Sequence, residues 1–148
     1  MSAPELPNAN TRRLRAIHRR LVKRFGELVP PRATDPLDEL VLTVLSQHTS
    51  DLNADRAFAA LRAAFPEWQG VVDAPAGEVA NVIRSGGLAN TKAPRIQEIL
   101  REVAEREGSF SLDRLHDLTD AEARAYLTSL QGIGPKTAQR LTFHLLRM

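Results

Sequence analysis

Apolar residues recur at every third or fourth position along most of the chain, which is the pattern of amphipathic helices. No stretch keeps the strict alternation of apolar and polar residues that marks a half-buried strand. The pattern therefore predicts an all-α protein of about seven helices, the second of which is apolar nearly all round and should lie at the centre of the core. The predicted helices cover residues 11–25, 37–46, 50–64, 76–84, 120–130 and 135–147, together with one that begins at Thr91 and is closed by Gly108.

Capping residues support several of these boundaries. Asp35 and Pro36 suit the N-cap and the first position of a helix. Asp73 can cap the short helix that follows it. Thr119 and Glu122 have the spacing of a capping box, in which the two residues satisfy each other's free backbone N–H groups.

The composition is that of one globular domain. With 148 residues, of which 43% are apolar and 26% charged, the chain can bury roughly two-thirds of the surface that its unfolded form exposes. It has no cysteine, and its four histidines stand apart, so we predict no metal, no disulfide and no cysteine nucleophile. No apolar run is long enough to span a membrane and none resembles a signal peptide, which predicts a cytoplasmic protein.

The net charge of +2 hides a basic segment near the N-terminus. Seven arginines and lysines and no acidic residue lie between Leu6 and Gly26. Such a helix suits a phosphate backbone, although a solvated helical face explains the charges as well. We treat residues 1–30 as a basic N-terminal helix and residues 31–148 as the helical domain.

The segment LQGIGPKTA, from Leu130 to Ala138, has a signature of its own. Two predicted helices are joined there by a turn with Gly132 and Gly134, and Pro135 suits the first position of the second helix. Such a turn brings backbone N–H groups to the surface beside a helix N-terminus, which makes an anion site. On DNA this site would hold a phosphate without reading the sequence. The alternative is a plain corner between two helices with a glycine cap.

Lys136 falls in the first turn of that second helix. A cation is unfavourable there by a few tenths to about 1 kcal/mol, because it faces the positive end of the helix dipole. A docked phosphodiester would offset this cost. The same helix end would raise the fraction of neutral amine, a nucleophile able to form a Schiff base with a sugar aldehyde. A lysine that contacts phosphate without any chemistry is the alternative.

Three stretches in this order resemble the endonuclease III-like DNA glycosylases of the helix–hairpin–helix (HhH-GPD) superfamily. VLSQHTSD, from Val44 to Asp51, resembles the family's first DNA-facing loop. GLANTKAPRI, from Gly87 to Ile96, resembles its Gly-Leu-x-Asn-x-Lys-Ala motif, and LQGIGPKTA resembles its hairpin. The resemblance covers about 35–148 and implies a six-helix domain with a helix–hairpin–helix motif.

The resemblance implies a role for each matched residue. Lys136 takes the place of the catalytic lysine, whose amine attacks C1′ of the damaged nucleotide, releases the base and cleaves the strand by β-elimination. The implied DNA contacts are phosphate binding by Gly132, Gly134, Thr137 and Lys92, a wedge at Leu88, and a side chain at Gln47 or His48 that fills the gap left by a flipped nucleotide. The alternatives are a solvated lysine at 92, a core leucine at 88 and an ordinary polar loop at 47–48.

Two family features would lie beyond Met148, namely a catalytic aspartate and a four-cysteine iron–sulphur motif. We therefore expect no cofactor in this chain, and we expect impaired base removal but less affected imine formation at an existing abasic site. Asp51 and Asp120 are nearby acids, but both fit helix starts better than catalysis.

The sequence thus predicts base-excision repair by a DNA glycosylase with abasic-site lyase activity. The expected partner is double-stranded DNA with damaged bases or abasic sites, with oxidised pyrimidines as the default lesion and a mismatch specificity left open. One alternative is a non-catalytic helix–hairpin–helix module that binds DNA. Another is a helical interaction domain with an incidental hairpin.

Overall fold

The structure is a computed structural model that describes residues 9–25 and 35–145. The chain divides into two compact units, Met1–Arg32 and Ala33–Met148. In the first unit the structure describes one helix, α1 (Ala9–Phe25). No helix in the described ranges combines the length and the apolar character needed to cross a membrane.

The second unit is built from helices and turns. Its described helices are α2 (Pro36–Ser46), α3 (Asp51–Ala64), α4 (Trp68–Asp73), α5 (Ala76–Val82), α6 (Ala89–Glu107), α7 (Asp120–Ser129) and α8 (Pro135–Leu145). Two short 3-10 segments, Arg84–Gly86 and Asp113–Asp117, precede α6 and α7. Residues 9–25 and 35–145 contain no strand, so the predicted all-α fold class is confirmed.

Helices α2 and α6 form the centre of the core. The side chains of α2 at Leu37, Leu40, Val41, Val44 and Leu45 are at most 1% exposed. The helix starts where the sequence predicts, because the Asp35 carboxylate accepts a hydrogen bond of 3.1 Å from the Leu37 N–H. Helix α6 packs against α2, α4 and α5 through its buried face.

Two predicted boundaries were wrong. Asp73 does not cap α5, because it is the last residue of α4, where its carboxylate accepts a hydrogen bond from Gln69. Six residues give less than two turns, so α4 leaves no clear periodicity in the sequence. Helix α6 begins at Ala89 rather than Thr91, because the carbonyl of Leu88 already accepts from the Thr91 and Lys92 N–H groups.

Other predicted boundaries are confirmed. Thr119 and Glu122 form the predicted capping box at the start of α7. Gly108 closes α6 with a left-handed φ of 73°, a conformation in which glycine carries no steric penalty. The predicted end of the last helix at residue 147 lies outside the described residues.

A charged cluster ties the end of α6 to α7. Arg114 donates two hydrogen bonds of 2.9 Å to the Glu107 carboxylate, and its guanidinium also lies 5.6 Å from the centre of the Tyr126 ring. The hydrogen bonds from Arg114 hold the pKa of Glu107 below its ordinary value. Burial, followed by the neighbouring Glu107, raises the pKa of Tyr126 to about 12, so the phenol stays neutral.

We expect Glu107→Gln to lower the free energy of unfolding by about 1 kcal/mol at neutral pH, the upper end for a partly exposed pair with two-pronged geometry. Since the pKa of Glu107 is lower in the folded chain, its contribution is present above the unfolded pKa and is lost as the pH falls through the folded pKa. Urea unfolding of both chains between pH 7 and pH 3 checks this. A difference that stays constant into acid would contradict the linkage.

Candidate functional site

Two buried side chains fix the turn between α7 and α8. Leu130 and Ile133 are 1% and 4% exposed, and the Ile133 N–H donates to the Leu130 carbonyl at 3.2 Å. With these two residues anchored in the core, Gly132 and Gly134 are left at the surface. The structure thus has the predicted helix–hairpin–helix geometry, with its glycine edge facing outward.

The two glycines of the hairpin meet different constraints. Gly132 has a left-handed φ of 84°, and a Cβ placed on it would lie 2.6 Å from Nε of Arg95. A Cβ on Gly134 would meet nothing within 4 Å. Gly132 is therefore required by the fold, whereas Gly134 keeps the surface open beside the start of α8.

Lys136 follows Pro135 at the start of α8 and is exposed. Within the described part of the chain its ammonium makes no hydrogen bond or ion pair. Thr137 beside it is half-buried. The first turn of α8 thus presents an amine that no described side chain engages, at a helix end that attracts anions.

The loop after α2 contains Gln47 and His48, the two candidates for filling the gap left by a flipped nucleotide. Their side chains have different surroundings. Gln47 is half-buried, and its Oε1 accepts a hydrogen bond of 3.4 Å from Nη1 of Arg95. His48 is exposed and has a left-handed φ of 57°, which is uncommon outside glycine. Gln47 is therefore held against α6, while His48 faces solvent.

Leu88 is not a core residue. Its side chain is 56% exposed, and its backbone has a left-handed φ of 49° directly before α6. A leucine in this conformation costs about 1–2 kcal/mol, because Cβ approaches the following carbonyl oxygen. Backbone strain of this kind is concentrated at functional sites.

The sequence left two interpretations of Lys92, a phosphate contact or a solvated lysine, and the structure fits neither. Its side chain is 2% exposed, so it is neither solvated nor placed to contact a phosphate. Its Nζ donates to the carbonyls of Leu45 at 2.7 Å and Gly86 at 2.8 Å. Desolvation by burial lowers the pKa of Lys92. The prediction of a DNA contact at Lys92 is corrected to a buried structural lysine.

Arg95 is a residue that sequence reasoning missed. One turn after Lys92 on α6, it reaches Gln47 at 3.4 Å and fills the space beside Gly132. The loop after α2 and the hairpin therefore meet at one guanidinium. Arg95 belongs to the GLANTKAPRI stretch, but nothing in the sequence pairs it with two segments so far away along the chain.

A metal bound within the described residues would need a set of ligand side chains. Within the described residues no three histidine or acidic side chains are grouped to hold a metal. The sequence has no cysteine, so these 148 residues do not fit a thiolate-bound iron–sulphur cluster. Asp51 and Asp120 occupy the first turns of α3 and α7, the positions expected of acids that favour a helix start.

The fold and the hairpin together define a helix–hairpin–helix domain, and comparison with known proteins specifies it. The model of the HhH-GPD superfamily of base excision DNA repair proteins matches residues 41–146, well over half of the chain. The chain belongs to this superfamily.

Similar proteins agree with this assignment. A protein of Arabidopsis thaliana named as a DNA glycosylase is 43% identical over 101 residues, which are 68% of this chain and 34% of the relative. Endonuclease III of Thermotoga maritima is 34% identical over 120 residues, 81% of this chain and 51% of the relative. This chain thus spans about half of these relatives or less.

A solved structure shows the same fold. The protein in a non-covalent endonuclease III–DNA complex superposes with a TM-score of 0.64 over 92% of this chain and 60% of its own, at 21% identity. The predicted endonuclease III-like architecture is thereby confirmed.

We expect the two hairpin glycines to respond differently to alanine. Gly132→Ala should lower the free energy of unfolding by about 1–2 kcal/mol for the left-handed backbone, and it should also displace Arg95. Gly134→Ala, the matched control, should stay within about 1 kcal/mol of the parent, because its Cβ meets open space. Urea unfolding measures both. Equal losses would contradict the different constraints assigned to the two glycines.

Proposed function

We propose that this chain binds duplex DNA through its hairpin and forms a Schiff base between Lys136 and the sugar of an abasic site. The observation that carries the proposal is the exposed amine of Lys136, which no described side chain engages, at the start of α8 beside the open surface of Gly134. The names of the relatives, a DNA glycosylase and endonuclease III, and the DNA in the solved complex support it.

The proposed reaction needs only the amine and a positioned sugar. The neutral amine of Lys136 adds to the C1′ aldehyde of the ring-opened abasic sugar, and water leaves as the imine forms. Protonation of the imine nitrogen acidifies the C2′ hydrogen. Loss of that proton expels the 3′ phosphate by breaking the C3′–O bond, which cuts the strand. Hydrolysis of the imine then returns the lysine.

The hairpin supplies DNA binding in this proposal. A phosphate docked at the start of α8 accepts hydrogen bonds from the backbone N–H groups and offsets the unfavourable position of the Lys136 charge. Gly134 leaves room for that phosphate, because no described atom beyond its two chain neighbours lies within 4 Å of where its Cβ would be. Gly132 and Thr137 shape the same turn.

Leu88 and His48 would contact the bases. The exposed and strained leucine is suited to wedge between base pairs and so to unstack the target nucleotide. Of the two polar candidates for filling the resulting gap, His48 is favoured, since Gln47 is already held by Arg95. Removal of oxidised pyrimidines belongs to the same proposal and needs additional stabilisation of the cationic sugar.

Borohydride reduction of the imine tests the proposed chemistry. On a duplex with one abasic site, we expect a covalent adduct with the parent chain and none with Lys136→Ala or Lys136→Arg. A guanidinium keeps the positive charge but stays protonated, so the arginine variant should still bind DNA. A plot of the logarithm of the DNA-binding constant against the logarithm of the salt concentration has a negative slope. This slope should become shallower by about 0.9 in the alanine variant only.

Other outcomes of this experiment support the other functions. If the parent binds with a salt dependence but is not trapped, the chain is a DNA-binding module without chemistry. If it neither binds nor is trapped, the proposal fails and a helical interaction domain gains support.

Leu88→Gly separates the proposed wedge from folding. Glycine relieves the left-handed strain, so the free energy of unfolding should rise by up to about 1 kcal/mol. The rate of adduct formation on a duplex should nevertheless fall by about tenfold or more, because the wedge separates the base pairs beside the abasic nucleotide and such unstacking costs a few kcal/mol per step. On a single-stranded abasic oligonucleotide the variant should match the parent. An equal loss on both substrates would contradict the wedge.

A further inference from the structure

One buried ammonium joins two separate loops. Lys92 donates to the Leu45 carbonyl, two residues before Gln47, and to the Gly86 carbonyl, two residues before Leu88. The two bonds measure 2.7 and 2.8 Å, and the side chain is 2% exposed. The loops on either side of the N-terminal end of α6 are thus fastened to the same atom.

Both carbonyls lie at the ends of helical segments. At the end of α2 the Thr49 N–H donates to the Ser46 carbonyl at 3.4 Å, which leaves the carbonyl of Leu45 without its usual helical donor. Gly86 ends the 3-10 segment before α6 and is itself buried. Lys92 therefore satisfies carbonyl groups that the backbone leaves free on each side.

The surrounding packing leaves little freedom at this junction. A Cβ on Gly86 would lie 3.2 Å from Cβ of Ala57 and 3.8 Å from the carbonyl oxygen of Leu45. The 3-10 segment thus packs directly onto α2 and α3. The hydrogen bonds of Lys92 join the same segment to the end of α2. A displacement of either carbonyl would be transmitted to the residues that follow it.

The arrangement holds a cation without an acidic partner. In the described part of the chain no ion pair to Lys92 is found. Burying an ammonium without a counter-charge is costly, whereas an apolar side chain of similar volume would fill the space without that cost. What the lysine supplies is directional hydrogen bonding to two loops.

We propose that Lys92 is a positioning residue that sets the placement of His48 relative to Leu88. These are the two side chains that enter the DNA in the proposed function, on which this inference rests. Lys92 acts through the backbone of both loops and touches no substrate.

Helix α6 also contains a matched control. Gln97 is 4% exposed, and its Nε2 donates to the carbonyls of Val71 at 2.9 Å and Ala74 at 2.7 Å. Gln97 thus makes the same kind of contact from the same helix, but it fastens the end of α4 instead of the two loops. A purely structural role would make Lys92→Met and Gln97→Met behave alike.

The first measurement is hydrogen exchange by mass spectrometry on the full chain without DNA. Lys92→Met should increase exchange in residues 47–50 and in residues 86–89, while Gln97→Met should increase it in residues 70–75. If Lys92→Met changes neither loop, only one of them, or the whole of α6 evenly, the inference is overturned. Should Lys92→Met not fold, Lys92→Gln is measured in its place; its amide ends one atom short of the ammonium position, so increased exchange in both loops is still expected, and unchanged exchange would overturn the inference.

The second measurement is the rate of borohydride-trapped adduct formation on duplex and single-stranded abasic DNA. At a temperature where all variants are folded, Lys92→Met should lower the duplex rate by about tenfold to a hundredfold, the scale expected of a misplaced group. Gln97→Met should leave it within about twofold. Lys92→Arg, which keeps the charge and the donors, should recover part of the rate.

The two measurements separate the possible failures. Equal losses in Lys92→Met and Gln97→Met, or a loss that is as large on single-stranded DNA, would overturn the positioning role. A parent chain that is neither trapped nor bound would overturn the proposed function. The exchange measurement needs no DNA and would still decide whether Lys92 fastens both loops.

Discussion

The first two turns of α6 hold together the surface on which the candidate site depends. Lys92 binds the backbone at Leu45 and Gly86, and Arg95 reaches Gln47 and the space beside Gly132. Leu130 and Ile133 anchor the hairpin in the core, but residues 47–50 include no buried side chain and of residues 86–88 only Gly86 is buried. A long helix, buried along one face and polar in these two turns, supplies a rigid reference for all three.

The backbone at this surface combines strain with support. His48 and Leu88 both have left-handed φ angles without being glycine, and each is exposed. Such residues persist only where their surroundings over-determine the chain. Here the supports are directly adjacent, because the carbonyls held by Lys92 lie two or three residues before each strained position. The hydrogen bonds from α6 thus stabilise the left-handed backbone of His48 and of Leu88, which an isolated loop would not keep.

The features predictable from the sequence are those encoded within a few residues. The capping box at Thr119 and the turn at Gly132 follow from local chemistry, and so does the helix start at Asp35. The place of Lys92 could not be read in this way, because its acceptor at Leu45 lies 47 residues away along the chain. Lysine in a polar first helical turn is usually solvated, and only the tertiary packing makes this one buried.

The same distinction applies to the matched motifs. In GLANTKAPRI the resemblance treats Leu88 and Lys92 alike, as residues that face DNA, yet the structure exposes the first and buries the second. A motif records which residues occur together, and a site needs both the groups that touch a ligand and those that hold them in place. The exposed fraction, the backbone φ and the hydrogen-bond partners sort the residues into these two kinds. By these criteria Lys136, Leu88 and His48 are the exposed residues to which the proposed function gives the DNA contacts. Lys92 holds the backbone before His48 and Leu88, and Arg95 contacts Gln47 and the hairpin.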